Sequence, residues 1–132
     1  MTLRERQNLF IADLAEFDNW SDRFNYLISL SEKLPAICPD SLRSCRIENC
    51  QSSTYLKVYV NDGLFHLSGW SNSAIVGGLI VAIIEIFNLA HVEELLCTDI
   101  DFHIKSGLID NLTTMRRSAL EEMIRRIAVL YI

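Results

Sequence analysis

The chain is poor in the residues that most enzyme signatures require. Its 132 residues include only five glycines, and no two are placed to build a phosphate-cradling loop. Gly-x-Ser-x-Gly, His-Glu-x-x-His and Cys-x-x-Cys are all missing, so nucleotide hydrolysis, serine-hydrolase, zincin and thioredoxin-type chemistry have no local support. Basic residues are also in short supply. Twelve Lys and Arg stand against 17 Asp and Glu, a net charge of -5 that repels phosphate backbones and acidic lipid, so no nucleic-acid partner is expected. The most apolar stretch, 74–87, is interrupted by Glu85 and falls short of the roughly 20 residues a membrane span needs, so it reads as a buried helix with no membrane partner. Four cysteines are too few for a disulfide framework in a chain of this size, and residues 1–16 lack the apolar block of a secretory signal. The expectation is a cytoplasmic protein forming one domain over 1–132.

Half the residues are hydrophobic, enough for a substantial core. Thr2-Leu3-Arg4-Glu5 fits a capping box, and Leu3, Phe10, Leu14 and Phe17 follow at helical spacing. A second helix is predicted over 21–34, capped by Asp18 or Ser21, with Phe24, Leu27, Ile28, Ser31 and Leu34 on its stripe and Pro35 at its end. Residues 35–49 have no clean period and read as a long loop, a feature that is uncommon unless functional. From Thr54 the period becomes two: Thr54, Leu56, Val58 and Val60 share one face, Tyr55, Lys57 and Tyr59 the other. Asn61-Asp62-Gly63 suits a tight hairpin turn returning through 64–70. Ser71-Asn72-Ser73 offers a short third strand or a helix cap before the 74–88 helix, where Gly77-Gly78 permits close packing. Short helical pieces are expected at 91–97 and 101–106, and a final helix from near Thr113 carries Leu120, Met123, Ile124, Ile127, Leu130 and Tyr131. The order is that of an α+β domain with a small antiparallel sheet covered by helices.

Cysteine is the remaining source of chemistry. Cys38, Cys45 and Cys50 are spaced more widely than zinc-knuckle pairs, and Cys97, in the run Leu95-Leu96-Cys97, reads as a small buried residue. Cys50 stands apart because it ends the long loop and has Arg43, Arg46 and Lys57 within seven residues, cations that would favour its thiolate, while Glu48 opposes them. His66, His91 and His103 could each act as a base, but none sits in a recognisable catalytic context, and His66 reads as a sheet histidine. Arg116, beside Arg117 at the start of the last helix, is poorly placed for the helix dipole and hints at a carboxylate partner.

Several blocks together resemble the SufE family of sulfur acceptors. Ile47-Glu48-Asn49-Cys50-Gln51-Ser52 is similar to its Gly-Cys-Gln-Ser segment, and Trp20 to Pro35 to its second helix. Ser71 to Ile80 is similar to its Asp-Ser-Asp-Ala-x-Ile-Val-x-Gly-Leu stretch, and Leu112-Thr113 to Arg116 with Leu120 and Met123 to its carboxy-terminal pattern. The resemblance implies a SufE/IscU-like fold in the order α-α-β-β-(β)-α-α-α. It implies that Cys50 accepts persulfide sulfur from a SufS-like, pyridoxal-phosphate-dependent cysteine desulfurase and passes it to a SufBCD-like iron-sulfur scaffold. On this view the protein stimulates the desulfurase and holds no cofactor or metal of its own. Gln51 and Ser52 would be sulfur-site neighbours and Arg116 a docking contact. The sequence departs from the pattern at Asn49, Tyr55, Asn72, Gly77, Thr114 and Ala119. Two alternatives remain: an adaptor of the same fold that binds a desulfurase or scaffold without carrying sulfur, and a metal-binding module using Cys38, Cys45 and Cys50.

Overall fold

A computed structural model describes residues 1–48 and 52–130. Helix α1 (Leu3–Ala15) opens on the expected capping box: the Thr2 hydroxyl accepts the Glu5 amide at 3.1 Å, and the Glu5 carboxylate accepts the Thr2 amide at 2.9 Å. Leu3, Phe10 and Leu14 are buried on its inner face, whereas Phe17 lies past the helix end. The same face buries Gln7, whose side chain accepts the Asp101 and Phe102 amides and donates to the Asp99 carbonyl. These three bonds satisfy the buried amide group and tie α1 to the start of α4 (Phe102–Lys105).

Helix α2 (Trp20–Leu30) starts one residue before the expected span because Asn19, not Asp18 or Ser21, is the cap. Its Oδ1 accepts the Asp22 amide at 2.9 Å. The helix tightens into a 3-10 turn at Ser31–Lys33 before Pro35. Leu27 and Leu30 are buried while Ile28 is exposed, so the buried stripe is rotated from the expected one.

Strands β1 (Thr54–Asn61) and β2 (Leu64–Ser71) form the antiparallel hairpin, with Asn61 opposite Leu64 and Asp62-Gly63 at positive φ in the two-residue turn. Thr54 and Leu56 are buried and Val58 half-buried on the face the alternation assigned to the core, although Val60, near the turn, is exposed. Ser71 closes β2 and Ser73 caps α3 (Ala74–Phe87), so 71–73 is a cap, not a third strand.

Helix α3 is the central element. It packs against α1, α2, both strands and the last helix α6 (Thr114–Val129), and Val76, Leu79, Ile80, Ile83, Ile86 and Phe87 are all buried. Gly78 lets it touch α2: a Cβ there would lie 2.6 Å from the Leu27 carbonyl carbon. Phe10, Phe102, Phe87 and Phe65 form a run of edge-to-face contacts through the core. Between α3 and α6 lie a 3-10 turn at Val92–Leu96, α4, and α5 (Leu108–Asn111), a short helix the sequence pattern did not suggest. Buried Leu120, Met123 and Ile127 anchor α6, whereas Leu130 is exposed and Tyr131 lies outside the described residues.

Candidate functional site

Residues 35–48 contain more order than their composition suggested. A 3-10 turn at Asp40–Leu42 buries Leu42, and the Cys45 amide bonds back to the Leu42 carbonyl at 2.9 Å. Cys45 to Ile47 then run antiparallel to the start of β1. The Leu56 amide donates to the Cys45 carbonyl at 3.0 Å, the Ile47 amide to the Thr54 carbonyl at 2.8 Å, and Arg46 bridges Tyr55. The end of the long loop therefore adds backbone pairing to the outer edge of the two-stranded sheet at the start of β1. Because Ile47 and Thr54 are hydrogen-bonded, the chain leaves and re-enters the sheet at one place, and 48–53 is a six-residue connection with Cys50 and Gln51 as its middle pair in sequence. Both residues lie outside the described ones.

Arg126 of α6 fastens the incoming side. Its Nη1 donates to the Cys45 carbonyl at 3.1 Å and the Leu56 carbonyl at 3.4 Å, its Nη2 donates to the Arg46 carbonyl, and its Nε pairs with Glu122 at 3.4 Å. A planar fork with several fixed donors suits this cluster of carbonyls in a way a lysine ammonium does not. The outgoing side is fastened by hydroxyls. Ser52 Oγ lies 2.8 Å from Thr54 Oγ1, which lies 2.9 Å from Ser71 Oγ, which accepts the Ser73 amide at 3.1 Å. Asn72 completes the clamp: its Oδ1 accepts the Ser53 amide at 3.0 Å, and its own amide donates to the Ser53 carbonyl at 3.1 Å. Thr54 is fully buried, so its hydrogen bonds are made away from water. Beside this clamp an open groove of about 400 Å³ runs between 31–36 and 70–74, with Trp70 Nε1 bonded to the Pro35 carbonyl across it.

Among the sequence-predicted site residues, Ser52 belongs to this clamp. Arg116 sits half-buried in the first turn of α6, where its amide donates to the capping Thr113 hydroxyl. Among the described residues no hydrogen bond or ion pair links Arg116 to the connection's flanks, whereas neighbouring Arg117 pairs with Glu121. Cys38 and Cys45 are half-buried thiols. Cys97, expected to be buried, is exposed: the 3-10 turn ends there and carries it with exposed Leu96 to the surface. Among the described residues no group of three His, Cys, Asp or Glu side chains is placed to hold a metal. His66 stacks on its cross-strand partner Tyr59 at 5.0 Å, as a sheet histidine would. His103 is buried, its Nδ1 has no hydrogen-bond partner among the described residues, and burial pushes its pKa down against the pull of Glu121 and Asp101.

Arg126, Thr54 and Ser71 were not anticipated as site residues. Thr54 left a trace, being a polar side chain at the head of an apolar stripe, and the hairpin register places Ser71 opposite it. Nothing local separates Arg126 from Arg125, which pairs with Glu122 on the helix surface.

The SufE model, described as Fe-S metabolism associated domain, matches residues 8–130. An uncharacterized SufE-like protein of Rhizobium meliloti (strain 1021) is 34% identical over 124 residues, spanning 89% of this chain and 88% of its own. The solution structure of a hypothetical protein from Thermus thermophilus superposes with a TM-score of 0.70 at 20% identity, covering 99% of this chain and 96% of that one, a likeness of fold. With a family match across nearly the whole chain and a fold that agrees, the protein belongs to the SufE family, the Fe-S metabolism associated domain.

Proposed function

We propose that the chain, acting as one SufE-like domain over 1–132, is a sulfur acceptor in iron-sulfur metabolism, with Cys50 as its persulfide carrier. The observation that carries this reading is the connection 48–53: a cysteine stands in the middle of a short segment whose two ends are held by the sheet, Arg126 and the Ser52–Thr54–Ser71 hydroxyls. An acceptor thiol has to be presented to another protein's active site, and a clamped base limits the conformational entropy lost at each encounter.

The chemistry needs no cofactor on this chain. The Cys50 thiol loses its proton, and the thiolate attacks the outer sulfur of a persulfide on the partner desulfurase. One S–S bond forms on Cys50 as the donor's S–S bond breaks, and the donor cysteine leaves as a thiolate that takes up a proton. Oxidation levels balance, so no external oxidant or reductant enters. A second transfer of the same kind passes the sulfur to a scaffold that builds iron-sulfur clusters. The partners in this reading are a SufS-like desulfurase and a SufBCD-like scaffold, and the cytoplasm is the compartment where both would be met. Gln51 and Ser52 shape the connection, and Arg116 is a docking contact for a carboxylate on the desulfurase.

Desulfurase turnover, measured as sulfide released from cysteine in the presence of a mild reductant, tests the reading. The wild-type chain should raise turnover and Cys50→Ala should abolish the increase. Full stimulation by Cys50→Ala would overturn the carrier role in favour of an adaptor. Arg116→Glu should raise the concentration needed for half-maximal stimulation while leaving the maximum unchanged.

A further inference from the structure

Beyond the connection, the outer edge of β1 changes character. In the hairpin register Asn61 and Leu64 face each other across the two-residue turn, so the odd-numbered residues of β1 direct their backbone groups to β2 and the even-numbered ones direct theirs outward. The outward groups of Thr54 and Leu56 are met by Ile47, Cys45 and Arg126. Those of Val58 and Val60 have no hydrogen-bond partner among the described residues, because the 45–47 segment turns away at Leu42. The outer edge of β2 is treated differently: Phe65 and Leu67 are capped by Leu89, Ala90 and the Asn88 side chain.

The surroundings of the open edge are asymmetric. Along this edge lies an open groove of about 360 Å³ lined by Leu56, Val58, Val129 and Leu130, with Arg126 and the Lys57 segment of β1 also on its border. On the sheet face opposite Val58, Arg46, which pairs with Tyr55 and so shares its side of the sheet, stands with Lys57. Neither cation has a carboxylate partner among the described residues, although the chain as a whole is acidic, whereas Arg43, Arg125 and Arg126 nearby are paired.

We infer that the Val58–Val60 edge of β1 is a docking site for an extended segment of a partner protein, acidic on one face and aliphatic on the other, that adds as a strand in line with 45–47. The backbone of such a segment would satisfy the open amides and carbonyls. Its alternate side chains would fall into the Val129–Leu130 groove on one side and beside Lys57 and Arg46 on the other. This inference stands independently of the role of Cys50.

The test uses the full-length, nitrogen-15-labelled chain and a capped hexapeptide of alternating Glu and Val, with alternating Lys and Val as control. In the free protein the Val58 and Val60 amides should exchange with solvent far faster than those of Lys57 and Tyr59, which face β2. The Glu-Val peptide should protect Val58 and Val60, with binding weakened several-fold by added salt. Lys57→Glu should weaken it about fivefold, the scale of one exposed charge pair. Val60→Pro removes an outward N–H without touching the β1–β2 ladder and should lower affinity while the Lys57 and Tyr59 amides stay protected. Equal binding of the two peptides, or no new protection at Val58 and Val60, would overturn the inference. So would protection in the free protein that grows with its concentration, which would assign the edge to a second copy.

Discussion

Arg126 exemplifies a side chain whose role becomes visible only when distant segments meet. Its guanidinium joins carbonyls at 45, 46 and 56, so Arg126→Ala leaves them without that donor and should cost about 2 kcal/mol in urea unfolding. Arg126→Lys should recover less than half of this, since an ammonium cannot reproduce the fork. Sequence spacing could not single it out, because Arg125 has the same chemistry and the same acidic neighbour yet points along the helix surface. His103 has a consequence for pH. Burial holds its folded-state pKa below the ordinary value, so the unfolded chain binds the proton more readily. The histidine contribution is flat while both states are neutral and turns unfavourable as pH falls through the unfolded value of about 6.5. Between about pH 7.5 and 5.5 the urea midpoint of the wild type should fall, and that of His103→Leu should fall less. A thiol-specific reagent should label Cys97 before Cys38 and Cys45, since the 3-10 turn leaves it exposed.

At the scale of elements, the features legible in the sequence are those set by local chemistry. The capping box, the Asp62-Gly63 turn and the glycine pair in α3 each follow from a few adjacent residues and occur as read, and the β1 alternation holds over its first half, Val60 near the turn being exposed. The pairing of 45–47 was not legible because it depends on partners outside the loop: Thr54 and Leu56 in β1, and Arg126 in α6. Short α5 has too few residues to show a period, and the cap of α2 was misplaced among three neighbouring capable side chains, Asp18, Asn19 and Ser21. Gly78→Ala should destabilise by about 3 kcal/mol, because the added methyl must displace the α2 backbone at Leu27. Leu89 offers a contrast. It holds φ at +64° on the exposed turn after α3, a conformation that costs a branched residue about 1–2 kcal/mol. Leu89→Gly should therefore stabilise by about 0.5 kcal/mol after the extra chain entropy of glycine, about 0.5–1 kcal/mol, is subtracted.

Taken whole, the molecule is a scaffold around one apolar helix. α3 supplies the centre, α1, α2 and α6 cover it, and the hairpin lies against it, with both flanks of the connection 48–53 fastened at the start of β1. The clamp draws on three separate parts of the chain, 45–47, 71–73 and 126, so its stability is that of the fold itself. In the proposed reading the partner desulfurase supplies the catalytic machinery and this chain supplies the Cys50 thiol. The central claim is the sulfur acceptor at Cys50, and intact-mass and peptide mass spectrometry after incubation with a cysteine desulfurase and cysteine test it most directly. One added sulfur atom, mapped to Cys50, removed by reductant and absent from Cys50→Ser, is the expected result. An unmodified chain, or the same adduct in Cys50→Ser, would contradict it.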